Sequence, residues 1–263
     1  MEKRNPFNIV SSKKTRFILP SLLTIIGVCL GISSIKFSLD QNYSLAVIFL
    51  VFASLLDTLD GRIARLIKGT SEFGKELDSL TDFVSFGIAP AFILYFWELK
   101  NYGKIGWAIT LIFSVCCVLR LARFNLTKIS EQSEWKLNYF EGVPSPAGAG
   151  LILLPLIYEL SELQLNLDVK RFTPYVVITV AVLLISSVPT FSLKKIKTTS
   201  QLTIFLLFGI VIIFVSLIFF TFKALLLLGI MYLMSIPASY VLYKKTNKKL
   251  NKVAKEEDHE DIL

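Results

Sequence analysis

Runs of about 20 apolar residues recur along this 263-residue chain, and they restrict its fold more than any other feature does. A run of that length can cross the hydrocarbon core of a bilayer as a helix. In lipid every backbone polar group must be hydrogen-bonded within the protein, which leaves helices and closed barrels as spanning structures. Hydrophobic residues make up 54% of the chain, against roughly 45–50% in soluble domains. We therefore predict an all-α, polytopic integral membrane protein with about eight transmembrane helices.

Polar segments between these runs divide the chain into four parts. Residues 1–16 are predicted to form a basic N-terminal segment, and residues 17–190 a core of six spans. Residues 191–243 add two further spans, and residues 244–263 are predicted to be a charged, disordered tail. The predicted spans cover residues 17–39, 43–67, 71–99, 105–124, 145–163, 172–190, 200–221 and 224–243.

Two pairs of aspartates interrupt the second and third apolar runs. Asp57 and Asp60 are three residues apart, and Asp78 and Asp82 are four apart, so each pair shares one face of a helix. Residues 68–71 between the pairs read as a helix break, with Ser71 able to cap the next helix. A charge in a membrane helix costs about 2.5–3.5 kcal/mol on insertion scales. The sequence predicts a helical hairpin that brings the four carboxylates together for a function.

Clustered carboxylates point to a bound metal ion. Their oxygens are the ligands of hard cations, so we expect Mg²⁺ or Mn²⁺ rather than zinc. Small residues at Gly61, Ala64 and Gly74 would let helix backbones or a flat nucleotide approach closely. The single histidine, His259, lies in the charged tail, so a general base in the membrane must be a carboxylate, lysine, tyrosine or water.

The spacing D-x2-D-G-x2-A-R-x8-G-x3-D-x3-D resembles the signature of the CDP-alcohol phosphatidyltransferases. The resemblance implies that residues 17–190 are the catalytic six-helix core of that family and that the site holds two Mg²⁺ or Mn²⁺ ions. It also implies a catalytic base at Asp82 and a homodimer. It implies metal ligands at Asp57, Asp60, Asp78 and Asp82, and CDP or phosphate contacts at Gly61, Ala64, Arg65 and Gly74.

A second polar group follows the fourth apolar run. Arg120 and Arg123 share a helix face and stand close to Asn125. They could be arginines that reach the interface from a helix end, or they could bind a phosphate or a serine carboxylate. Residues 78–90, 120–125 and 141–150 together resemble the phosphatidylserine synthase branch of the family. That resemblance implies that CDP-diacylglycerol and L-serine react to give phosphatidylserine and CMP.

Three other functions stay open at this point. Another member of the same family would use glycerol phosphate, inositol phosphate or choline as the acceptor. A cation transporter could use the aspartates as an ion site, although the polar residues gather at only one end of the spans. A structural cluster with no activity is the third. Nucleic-acid binding is not indicated by the net charge of +8, because the basic residues are spread over the loops.

The distribution of basic residues predicts the orientation in the membrane. With eight spans both termini lie on one side, and 22 of the 28 lysines and arginines fall on that side with the aspartates. Basic loops face the cytoplasm in most membrane proteins. We therefore expect a multi-pass protein of a bacterial or archaeal-type inner membrane, with both termini and the active site cytoplasmic and membrane lipids around it.

Overall fold

The computed structural model describes residues 13–67, 71–127, 139–163, 168–191 and 200–260 of the chain. Two long helices come first, α1 (Lys13–Leu39) and α2 (Tyr43–Leu66). A third rod consists of α3 (Glu72–Asp82), a π-helix (Phe83–Ile88) and α4 (Ala89–Trp97). The remaining elements, in chain order, are a 3₁₀ turn (Leu99–Tyr102), α5 (Gly103–Thr127), β1 (Tyr139–Glu141), α6 (Ser145–Ile152), α7 (Leu154–Leu160), α8 (Val169–Ile185), β2 (Pro189–Phe191), α9 (Ser200–Phe219) and α10 (Thr221–Glu260).

Within the described ranges, five segments are long and apolar enough to cross a membrane. They are Leu19–Leu39, Tyr43–Leu66, Glu72–Trp97, Leu99–Leu126 and Thr221–Lys244. The prediction of an all-α, polytopic membrane protein is therefore confirmed. The count of eight spans stays a prediction, since α6 to α9 supply shorter helices at the other three predicted positions.

The core lies where α1 packs against α2 and the third rod, and where α5 packs against the π-helix and α8. Its largest fully buried side chains include Phe86, Phe113 and Leu184. Gly31 of α1 allows the closest approach, because a Cβ atom there would lie 2.8 Å from the Ser85 hydroxyl oxygen of the π-helix. α1 is thereby held against the rod that carries Asp78 and Asp82.

Two short strands, β1 and β2, pair antiparallel and were not predicted from the sequence. Gly142 follows β1 with φ of +78°, and the Thr190 hydroxyl of β2 donates a hydrogen bond of 2.9 Å to its carbonyl oxygen. A Cβ atom at Gly142 would lie 2.7 Å from the Ser186 carbonyl oxygen. The strands therefore join the entry to α6 with the exit from α8.

Two helical boundaries differ from the prediction. The fifth predicted span, residues 145–163, is divided at Leu153 into α6 and α7 because Pro155 has no N–H to continue the helical hydrogen bonding. The tail after residue 243 was predicted to be disordered, and this is wrong, since α10 continues to Glu260. The segment after residue 243 is rich in lysine and also contains glutamate, alanine and leucine, all of which favour helix. Because it extends α10, it does not have to nucleate a new helix.

Candidate active site

Three of the four aspartates meet at one place, as the predicted hairpin requires. Asp57 and Asp60 come from α2 and Asp78 from α3, and one carboxylate oxygen of each lies within 4.8 Å of the others. The predicted cap at Ser71 is confirmed, because its hydroxyl accepts a 3.0 Å hydrogen bond from the Gly74 N–H at the start of α3. Residues 68–70 of the predicted break lie outside the described part of the chain. The local cap thus directs Asp78 back toward α2.

Asp82, the last residue of α3, lies beside this cluster but is not among the three converging residues. Its carboxyl group contacts that of Asp57 and lies close to Asp78 and to the Arg120 guanidinium. One oxygen, Oδ1, is fully buried, and no group in the described part of the chain hydrogen-bonds to it. A buried carboxylate oxygen without a partner is costly, so this atom has an interaction still to make.

Thr24 of α1 is a fifth member of the site, and the sequence reasoning gave it no role. Its hydroxyl lies 2.6 Å from Oδ2 of Asp60 and 3.0 Å from the Pro20 carbonyl oxygen, with one proton to donate between them. Asp60 is only 3% exposed and Thr24 6%. The signal in the sequence was a threonine in an apolar helix, which is too common a feature to identify a site by itself.

The residues at this site fit a divalent cation. All four side chains offer hard carboxylate oxygens, three converge within one ion's reach, and the buried Oδ1 of Asp82 lacks a hydrogen-bond partner among the described residues. Without a cation, unit charges about 4 Å apart repel by about 4 kcal/mol at an effective dielectric of 20. A bound cation would reverse that repulsion, and a cation or a transferred proton would give the Oδ1 of Asp82 its partner.

The small residues of the motif surround the same region. A Cβ atom at Gly61 would meet nothing within 4 Å, so open space lies beside the α2 backbone there. Ala64 is half-buried one turn further on, and the exposed Arg65 side chain donates from Nε to the Gly61 carbonyl oxygen at 2.9 Å. Gly74 instead lies against its cap, because its Cβ would be 3.1 Å from the Ser71 hydroxyl oxygen.

The second polar group divides into one buried arginine and two residues held elsewhere. Arg120 is 8% exposed, donates from Nη1 to the Ser145 hydroxyl at 2.6 Å, and has a buried Nε with no acceptor among the described residues. Arg123 donates to the Ile185 and Ser186 carbonyl oxygens at the end of α8. The Asn125 amide donates to the Ser79 hydroxyl at 3.0 Å. Of the three, the Arg120 guanidinium is the one that adjoins Asp82.

Comparison with known proteins assigns the chain to a family. The sequence profile of the CDP-alcohol phosphatidyltransferases matches residues 17–236. The chain belongs to this family. The family is metal-dependent, which agrees with the carboxylate cluster at the meeting of α2 and α3.

Several family members of similar sequence carry the name CDP-diacylglycerol–serine O-phosphatidyltransferase. The protein of Helicobacter pylori strain 26695 is 35% identical over 204 residues, which cover 77% of this chain and 82% of that one. The Bacillus subtilis protein is 38% identical over 141 residues, covering 53% and 76%. The Mycobacterium leprae protein is 44% identical over 144 residues, and the match spans 53% of this chain but only 48% of that longer relative.

A π-helix begins directly after Asp82, and the sequence reasoning did not foresee it. Its residues Phe83–Ile88 include the buried Ser85, Phe86 and Gly87. Turns of this type are rare and are frequently found at functional sites. Gly87 faces α5, since a Cβ atom there would lie 3.2 Å from the sulfur of Cys117. The π-helix therefore connects the aspartate face of α3 with the buried face of the rod.

Proposed function

We propose that this family member transfers the phosphatidyl group of CDP-diacylglycerol to the hydroxyl of L-serine, giving phosphatidylserine and CMP. The observation that carries the proposal is the carboxylate cluster, beside which the buried Oδ1 of Asp82 adjoins Arg120 and has no hydrogen-bond partner among the described residues. The names of the relatives above support serine as the acceptor.

We propose two Mg²⁺ or Mn²⁺ ions as the cofactors of this reaction. Asp57, Asp60, Asp78 and Asp82 would hold them through carboxylate oxygens. When bound, such ions polarise phosphoryl oxygens and offset the charge that develops on the leaving CMP. Thr24 keeps the Asp60 carboxylate in place, because its hydroxyl contacts Oδ2 from a neighbouring helix.

Asp82 is our candidate for the general base. The serine hydroxyl oxygen attacks the phosphorus that bears the diacylglycerol, the bond from this phosphorus to the CMP oxygen breaks, and the hydroxyl proton passes to Asp82. Its Oδ1, to which no described residue hydrogen-bonds, offers an acceptor for that proton, and a positioned base contributes about 10²–10⁴-fold. No histidine stands within the spans to take this role.

We propose that the nucleotide lies along α2 and the first turn of α3. The open space beside Gly61 admits a phosphate or a ribose near the backbone, with Ala64, Arg65 and Gly74 around it. Arg120 is the first candidate for the serine carboxylate or a phosphate, since its Nε is buried without an acceptor among the described residues. Arg123 and Asn125 come second, because both already bond to protein groups.

The proposal extends to the surroundings of the protein. We propose that it works as a homodimer in a bacterial or archaeal-type inner membrane, with both termini and the active site in the cytoplasm. Serine and CMP are soluble there, while the lipid substrate is supplied by the membrane. The orientation is supported by the basic loops and by the position of the aspartates near the end of α2 and the start of the third rod.

The acceptor is tested with purified protein in lipid, labelled acceptors, CDP-diacylglycerol and Mn²⁺ or Mg²⁺. We expect phosphatidylserine and CMP with serine, and no product when the metal is chelated. If a product forms only with glycerol phosphate, inositol phosphate or choline, that compound and not serine is the acceptor. Flux of Mn²⁺ into proteoliposomes without CDP-lipid, and no transfer to any acceptor, would favour the transporter and end the proposal.

Replacing Thr24 by valine should weaken the apparent affinity for Mn²⁺ by about 10–100-fold, the usual effect of losing a group that orients a metal ligand. The measurement is the Mn²⁺ dependence of the transfer rate together with direct Mn²⁺ titration. Thr179→Val is the matched control, because the Thr179 hydroxyl also bonds to a carbonyl oxygen one helical turn back but is exposed on α8. Equal Mn²⁺ affinity in both variants would remove Thr24 from the site.

A further inference from the structure

An apolar groove of about 290 Å³ lies between α2, the α6–α7 pair and α10. Its walls are almost entirely hydrocarbon, with Val47, Leu50 and Val51 on α2, Leu153 between α6 and α7, and Leu225 and Leu228 on α10. Polar groups are few and include Ser54 and Tyr232. A ligand that fits this groove must itself be apolar over most of its length.

One end of the groove lies near the aspartate cluster. Along α2 its lining runs from Val47 to Leu55, about 12 Å at 1.5 Å per residue, and Asp57 follows two residues later. On the other wall the buried Tyr232 hydroxyl lies near the Arg120 guanidinium, which in turn adjoins Asp82. The groove thus begins beside the proposed site of phosphoryl transfer and extends away from it along α2.

Two glycines give the groove its shape. Gly229 brings α10 close to α7, because a Cβ atom there would lie 2.3 Å from a methyl carbon of Leu154. Gly150 of α6 lines the groove, and a Cβ atom there would meet no other atom within 4 Å. α10 is therefore fixed as one wall, and the space opposite it is left open by the missing side chain of Gly150.

We propose that this groove holds one acyl chain of the phosphatidyl donor, so that α10 forms part of the donor site and limits the chain length accepted. The inference rests on the proposed function, which places a diacylglycerol phosphate at the aspartates. An acyl chain gains little by moving from lipid into an equally apolar groove, so the groove orients the donor rather than binding it tightly. Filling the groove should consequently discriminate between donors by the length of their chains.

The test uses Gly150→Leu, because Gly150 lines the groove and a Cβ atom there would meet no other atom within 4 Å. We expect the ratio of kcat/KM for dipalmitoyl over dioctanoyl CDP-diacylglycerol to fall by about tenfold or more, the effect of a small misfit in an apolar pocket. Gly209→Leu on α9 is the matched control, since a Cβ atom at Gly209 also meets nothing within 4 Å, and its ratio should stay unchanged. An unchanged ratio in folded Gly150→Leu protein would overturn the proposal.

A second measurement needs neither turnover nor a variant that folds. Wild-type protein is irradiated with CDP-diacylglycerol that carries a diazirine midway along one acyl chain, and the labelled peptides are identified by mass spectrometry. We expect label on α10 between Leu225 and Tyr232. Label found on α9 alone would overturn the proposal that the groove binds an acyl chain, even if the protein transfers the phosphatidyl group to serine. Label on α10 without transfer to any acceptor would keep the groove and reject the proposed function.

Discussion

Asp78→Asn should lower the rate of phosphatidyl transfer by about a thousandfold while the protein still folds. Asp78 is one of the three residues whose oxygens converge within 4.8 Å, and asparagine preserves its shape but removes the charge that would hold a cation. A bound metal supplies several kcal/mol of charge stabilisation in a transition state, and each 1.36 kcal/mol corresponds to about tenfold in rate. Initial rates at saturating Mn²⁺ measure the effect.

Thermal unfolding separates this loss from a loss of structure. Without metal, Asp78→Asn should unfold at the same or a higher temperature than the wild type, because one of several repelling carboxylates is gone. Added Mn²⁺ should raise the unfolding temperature of the wild type but not that of the variant. Asp40→Asn is the control, since Asp40 is exposed and pairs with Lys36 in the turn after α1. Full activity in Asp78→Asn would contradict the metal site.

Asp82→Asn should lower kcat by about 10²–10⁴-fold and leave KM for CDP-diacylglycerol close to that of the wild type. The expected range is that of a positioned general base, and the buried Oδ1 is the atom that would accept the proton. The substrate contacts proposed along α2 do not involve Asp82, which is why binding should persist. Steady-state kinetics with both substrates varied measure the two constants.

Metal titration decides between the two roles given to Asp82. If Asp82 acts mainly as the base, Asp82→Asn should bind Mn²⁺ within about tenfold of the wild type, a smaller change than loss of a principal ligand produces. A fall in Mn²⁺ affinity that parallels the fall in kcat would make Asp82 a ligand instead. Glu76→Gln is the control, because Glu76 lies exposed on the same helix. Unchanged kcat in Asp82→Asn would place the base elsewhere.

The hairpin of α2 and α3 was predictable because its signals are local. Aspartate spacing fixes which residues share a helix face, and Ser71 marks where the second helix begins. The contact between Thr24 and Asp60 joins residues 36 positions apart, and no local pattern encodes it. The pairing of β1 with β2 likewise depends on how α6 and α8 pack, so three-residue strands could not be recognised beforehand.

Arg120 and Arg123 show where spacing stops being informative. Both lie on one face of α5, and the sequence could assign an anion to either. The structure separates them, because Arg123 reaches the carbonyl oxygens that end α8 while Arg120 lies buried between Ser145 and Asp82. A difference of one helical turn thus decides which neighbour each guanidinium meets, and that depends on packing alone.

The π-helix after Asp82 allows one end of the third rod to carry the site aspartates while the other end packs into the core. Each of its hydrogen bonds spans one residue more than in an α-helix, which turns everything beyond it by about one position, roughly 100°. Asp78 and Asp82 can therefore point toward one neighbour while Ile93 and Leu94 point toward another. The π-helix therefore allows the orientation of the two carboxylates to differ from that of the side chains that pack the rod into the core.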